Sequence, residues 1–184
     1  MRIKAVLLLL FALTGCAVPP PPLPSGSVGV APGVTLALPA PGDLGREVDA
    51  VQMVSARHGA DTWVFEGRLS VRPDELRLAC LDGMGRRALT VAWAGGRLQV
   101  ERAPWVPESL RAENILADIV MLYWPEAVVR QALQGAALRQ DGAGRGIGDA
   151  IAISWAGDPW NGSARLHNIA WDYELNVQSV TVGP

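Results

Sequence analysis

The sequence predicts an α+β domain: a curved antiparallel sheet, forming an open half-barrel, with two short helices on its concave face. Three observations carry that expectation. From Val48 to Val100 apolar and polar residues alternate and break at turn residues, the pattern of a half-buried meander. From Ala112 the apolar period changes to helical spacing, and after Gly135 alternation resumes and runs to Val182. Strands on both sides of a helical pair, in a stretch the size of one domain, predict a sheet bent round its helices.

Each element follows from its residues. In TWVFEGRLSVR, Trp63, Phe65, Leu69 and Val71 share one face, and Glu66, Arg68, Ser70 and Arg72 take the other. Pro73-Asp74 turns the chain into ELRLACL, where Leu76, Leu78 and Cys80 point one way. LDGMGR makes the next turn, RALTVAW supplies Leu89, Val91 and Trp93, and Gly95-Gly96 leads into RLQVER with Leu98 and Val100 inward. In AENILADIVMLYW the residues Ile115, Leu116, Ile119, Leu122 and Tyr123 recur on one helical stripe, with Asp118 off it. Pro125 suits the first turn of a second helix, PEAVVRQALQG, which Gly135 can end. AALRQ, DAIAISWAG, SARLHNIAW and WDYELNVQSVTV then read as strands, giving about five strands, two helices and about four strands.

The amino terminus carries an address. Arg2 and Lys4 precede AVLLLLFALTG, an apolar run of secretory length and too short to span a bilayer. The order Leu13, Thr14, Gly15, Cys16 resembles the lipobox of bacterial lipoproteins, which implies cleavage before Cys16 and acylation of that cysteine. The expected division is a signal peptide over 1–15, a Pro/Gly-rich tether over 16–46 and a folded domain over 47–184. Ala17 replaces the aspartate that retains enterobacterial lipoproteins in the inner membrane, so the expected location is the outer membrane, facing the periplasm.

Losing Arg2 and Lys4 takes the formal charge from -2 to -4, and no basic cluster remains, which argues against nucleic acid as a partner. With Cys16 acylated, Cys80 has no partner and reads as a small buried hydrophobe.

The inventory for catalysis is thin. His58 and His167 are the only histidines and neither sits in a ligand cluster, and no nucleophile elbow, zinc motif or phosphate loop occurs. GAGRGIG lies between strands and has the wrong spacing for a nucleotide loop, so it reads as a hairpin. No enzyme, metal or cofactor is expected. Seven tryptophans against two tyrosines and two phenylalanines are the more useful feature. Trp63, Trp93, Trp155 and Trp171 fall at inward strand positions, whereas Trp105, Trp124 and Trp160 lie beside prolines at loops or helix ends. They suit either a packed core or a lining for a hydrophobic ligand. In the second case Trp63, Phe65, Trp93, Ile119, Tyr123, Trp155 and Trp171 line the hollow, and the loops APWVPESL and GDPWNGS form its rim.

The succession ELRLACLDGMGRRALTVAWAGGRLQVERA, ILADIVMLYWPEAVVRQALQG and the closing alternating strands resembles the LolA/LolB lipoprotein-carrier superfamily. It is more similar still to an uncharacterised outer-membrane lipoprotein family often encoded in aryl-polyene gene clusters. The resemblance implies a half-barrel whose apolar hollow, lidded by the helices, takes an acylated or otherwise hydrophobic ligand, delivered by a periplasmic carrier. It also implies that Met84, before Gly85 in LDGMGR, brushes the membrane; the other reading is an ordinary loop methionine. The expected function is binding or transfer of a lipid-like ligand, in aryl-polyene lipid export or lipoprotein localisation. The alternative is a non-catalytic accessory lipoprotein docked on an envelope assembly.

Overall fold

A computed structural model describes residues 26–142 and 144–183. The expected signal peptide over 1–15, Cys16 and the first part of the tether lie outside the described residues.

The α+β class is observed, with two helices and an antiparallel sheet. Ten strands form the main sheet: β3 (Val48–His58), β4 (Asp61–Val71), β5 (Glu75–Leu81), β6 (Arg87–Ala94), β7 (Arg97–Arg102), β9 (Leu138–Asp141), β10 (Gly144–Ile147), β11 (Ile151–Ala156), β12 (Ser163–Asn168) and β13 (Tyr173–Thr181). Their order is β7-β6-β5-β4-β3-β13-β12-β11-β10-β9. Two meanders are thus joined at β3 and β13, which pair from Ala50↔Thr181 to His58↔Tyr173. The sheet does not close into a barrel, because β7 and β9 are free edges. Edge position accounts for Val100 of β7, expected inward but exposed. The five main-sheet strands before the helices match the expectation; after the helices the main sheet gains β10, the second arm of the GAGRGIG hairpin, beyond those expected.

The tether is where sequence and structure part. An extended leash was expected as far as Arg46, yet β1 (Ser27–Ala31) and β2 (Val34–Ala37) form a hairpin and Pro41–Leu44 a 3-10 turn. Val28, Val30, Leu36 and Leu44 are buried in the core. Within the proline tract VGVAPGVTL alternates, and Pro32-Gly33 occupies the hairpin turn, with Gly33 at φ 72°. The prolines therefore punctuate the strands instead of interrupting them. β2 also pairs with β8 (Leu133–Gln134), making a second, three-stranded sheet.

The hairpin changes the setting of helix α1 (Ala112–Tyr123), which packs against both β1 and β12. Asn114 Nδ2 donates to the Gly29 carbonyl at 3.1 Å. Lying between two sheets, α1 is buried along most of the expected stripe and also at Ala117, Val120, Met121 and the following Trp124, which lie off it. Arg145 of β10 closes the carboxyl end of α1, donating from Nη1 to the Met121 carbonyl at 2.6 Å and from Nη2 to that of Trp124 at 3.1 Å. Burial lowers its pKa to about 10. Helix α2 (Glu126–Ala132) begins after Pro125 and stops before the expected Gly135, because Leu133 and Gln134 join β2. Gly135, at φ 88°, is itself under compulsion: a Cβ there would stand 2.0 Å from the Gly33 carbonyl oxygen.

Candidate functional site

Between α1 and the inner face of β13, β3, β4 and β5 lies a cavity of about 640 Å³. That volume falls within the roughly 300–1,000 Å³ of small-molecule sites. Strand alternation builds the floor: Val54 and Ala56 from β3, Phe65 from β4, Leu175 and Val177 from β13. Ile119 and Leu122 of α1 face them. Residues 105–111 run along the rim, with Trp63 of β4 (37% exposed) and Trp105 of the loop (48% exposed) both reaching solvent.

Five of the seven expected lining residues meet here: Trp63, Phe65, Ile119, Tyr123 and Trp171. Trp171 is held by its own amide, which donates to Asn168 Oδ1 at 3.0 Å.

Trp93 and Trp155 do not line the cavity, which corrects the expectation for both. Trp93 is a core residue, 6% exposed, whose Nε1 donates to the Pro39 carbonyl at 2.9 Å. The N-terminal segment covers it instead, through Pro39. Trp155 lies on β11, where the Arg145 guanidinium stands 5.3 Å from its ring centroid. Of the two expected rim loops, APWVPESL contributes residues and GDPWNGS does not. Trp160 instead packs against Tyr123, with ring centroids 4.3 Å apart.

Met84 is 79% exposed at the tip of the turn between β5 and β6 and does not line the cavity. Asp82 shapes the turn, accepting from the amides of Met84 and Arg86 at 2.9 Å each, and Gly85 takes φ 75°. Arg86, beside Asp82, holds that carboxyl below the usual carboxylate range. The Arg86 guanidinium also lies 4.9 Å from the Trp105 ring centroid, tying the Met84 turn to the cavity rim.

Two buried polar groups interrupt the apolar wall, which is also lined by the half-buried or exposed Arg57, Thr62, Asp82, Arg111 and Asn114. Gln52 Nε2 donates to Tyr123 Oη at 2.9 Å and to Ser179 Oγ at 3.0 Å, and those two oxygens are 3.0 Å apart. This cluster is buried and satisfies itself; burial pushes the Tyr123 hydroxyl up to about 12. The second group is Asp118, 7% exposed, whose Oδ1 accepts from Tyr173 Oη at 2.7 Å. Burial raises its pKa to about 7 against the opposing hydrogen bond, and the tyrosine is raised too, first by burial and then by the adjacent acid. Sequence periodicity put Asp118 off the apolar stripe, and so missed it. The only trace in the sequence is an acid in the middle of a helix with few polar neighbours.

Cys80 also lines the cavity, buried as expected, with its thiol pushed up to about 12 by burial. A thiol so rarely ionised is a poor nucleophile. His58 lines the exposed end and His167 does not reach the cavity. Among the described residues no cluster of His, Cys, Asp and Glu has the makings of a metal site, and no helix is long and apolar enough to cross a membrane.

No curated protein matches the chain. A family model described as "Protein of unknown function (DUF3261)" matches residues 49–181, the two meanders and the helices between them, and the chain belongs to that family.

Proposed function

We propose that this chain is a lipid-anchored protein of the bacterial cell envelope that binds a lipid-like molecule between α1 and the main sheet. The observation that carries the proposal is the cavity: about 640 Å³, walled mainly by apolar side chains, and rimmed by two part-exposed tryptophans. An acyl chain or flat conjugated chain satisfies such a wall, because it offers apolar area and makes few polar demands. In this reading the sheet bends round α1 as a half-barrel of the LolA/LolB kind, and α1 is the lid of the hollow.

The anchor belongs to the same reading. Cys16, cleaved and acylated, holds the protein at the periplasmic face of the outer membrane, since two or three chains at about 0.8 kcal/mol per buried methylene scarcely leave a bilayer. Met84, exposed on a turn tied to the rim by Arg86, is the side chain that touches lipid as ligand passes in or out. A periplasmic carrier delivers the ligand or receives it, as part of aryl-polyene lipid export or lipoprotein localisation. The reading assigns no turnover to the site: burial holds the Cys80 thiol protonated, and Asp118 is bonded to Tyr173.

Extraction of the full chain from membranes, followed by mass spectrometry of what accompanies it, tests the proposal. Near-stoichiometric acylated or polyene lipid, displaced by an environment-sensitive hydrophobic dye, is expected. A protein that carries no lipid and takes up no dye, while crosslinking recovers a stable envelope partner, would replace this reading by that of an accessory docking lipoprotein.

A further inference from the structure

The two buried polar groups in the cavity differ in one respect that bears on the ligand. Gln52, Tyr123 and Ser179 close on one another, whereas Asp118 has Tyr173 as its sole hydrogen-bond partner among the described residues, at Oδ1. The other carboxyl oxygen belongs to a side chain more than nine-tenths buried, on a residue that lines the cavity. Burying a carboxyl is unfavourable unless its oxygens are partnered; this second oxygen has no protein partner among the described residues but is not sealed off, so it meets the open space of the cavity that Asp118 lines.

The two groups also lie apart along β13. Tyr173 pairs with His58 and Ser179 with Gln52, six residues further on, about 20 Å at roughly 3.4 Å per residue. Leu175 and Val177 point into the cavity between them, opposite Val54 and Ala56 of β3. A chain lying along this track meets apolar wall over its length and the free carboxyl oxygen near the His58 end.

Among the described residues no arginine pairs with that carboxyl. Of the arginines beside the cavity, Arg57 is 3.7 Å from Glu174 and Arg111 is 3.8 Å from Glu113. Besides Tyr173, which bonds to Asp118, the charged or titratable side chains that line the same cavity are Arg57, His58, Cys80, Asp82, Arg111 and Tyr123.

Resting on the cavity reading above, we infer that the bound molecule is an apolar chain bearing a protonated amine, and that Asp118, positioned by Tyr173, is the counter-ion for it. An amine supplies both the donor for the free oxygen and the charge that no arginine brings to that carboxyl. A carboxylate end group meets repulsion at the same place. The raised pKa of Asp118, about 7, then becomes a consequence of the empty cavity, and the amine lowers it on binding.

The test is competition against a bound neutral hydrophobic dye by 1-dodecanol, dodecylamine and dodecanoate, using the full chain on either side of pH 7. The alcohol reports the cavity alone, and its displacement of dye is expected at every pH. Dodecylamine is expected to gain about tenfold or more in affinity from acid to alkaline pH, as the carboxyl ionises while the amine stays protonated. Asp118→Asn is expected to remove that gain, with a cooperative thermal melt and retained dye binding showing that the variant is folded; His58→Gln is expected to keep the gain. If the alcohol binds but the amine shows no pH step, or the step survives Asp118→Asn, the inference fails and the cavity reading stands. Failure of all three ligands to displace dye, or of dye to bind, removes both.

Discussion

Asn168, at the end of β12, donates from Nδ2 to the carbonyl of Val30 at 2.8 Å, joining the main sheet to the N-terminal hairpin across 138 residues of chain. Its side-chain oxygen accepts from the Trp171 amide, so one fully buried residue fixes the hairpin behind α1 and the tryptophan beside the cavity. Asn168→Ala leaves the Val30 carbonyl buried without that donor and is expected to destabilise the fold by about 2–3 kcal/mol. Urea denaturation measures it. A loss below about 0.5 kcal/mol would mean that the hairpin is not part of the cooperative unit.

Stability should fall with rising pH because of Asp118. Its folded pKa, about 7, lies above the ordinary value of 3.8, so the folded state holds the proton more tightly than the unfolded chain. The contribution is complete below about pH 4, is lost as pH rises to about 7, and is flat beyond. Asp49 beside Arg72 and Glu174 beside Arg165 have lowered values and act in the opposite sense, their contribution disappearing as acid protonates them. Asp118→Asn should therefore keep the loss in strong acid and abolish the decline between about pH 4 and 7, gaining of the order of 4 kcal/mol above it. Thermal melts across that range compare the two chains.

Filling the cavity should separate binding from stability. Ala56 lines the floor, and Ala56→Phe places an aromatic ring in the apolar space. Dye affinity is expected to fall about tenfold or more while the melting temperature holds or rises, as cavity-filling substitutions commonly do. Isothermal titration and calorimetry read the two effects. Unchanged affinity would show that dye binds elsewhere.

The tryptophans should divide by position. Trp93→Phe removes the donor to Pro39 and is expected to destabilise the fold by about 1–2 kcal/mol without altering ligand affinity. Trp63→Ala, at the rim, should weaken binding of an apolar probe with a smaller effect on stability. Equilibrium unfolding and dye titration on both variants give the contrast, and a stability defect alone in Trp63→Ala would remove it from the site.

The turn at Met84 gives a further contrast. Met84→Asp alters an exposed side chain and is expected to shift stability by no more than about 0.5 kcal/mol. Under the proposed function it slows transfer of bound lipid to vesicles several-fold. Gly85→Ala, forced to φ 75°, is expected to destabilise by about 1–2 kcal/mol instead. A fluorescent lipid-transfer assay with neutral vesicles distinguishes a contact side chain from a passive loop.

Alternation and helical period, both local properties, determined the strands from Val48 to Val100, the helical pair, the turn at LDGMGR and the shared face of Tyr173, Leu175 and Val177; Trp171, expected on the same strand, lies in the turn before it, where Asp172 takes φ 51°. Tertiary structure decided what covers each face. The proline content of residues 26–46 concealed the alternation of Val28, Val30, Val34 and Leu36, and so concealed a hairpin held by its packing on α1, its pairing with β8 and the Asn168 bond to Val30. That omission explains the others. Without the hairpin Trp93 appears free to line a hollow, and a helix expected to have one face in water gives no reason to bury Asp118. A residue's place in a strand or helix follows from its neighbours in sequence, but its burial depends on segments that meet it only after the chain has folded, and Asp118 owes its place in the cavity to that meeting.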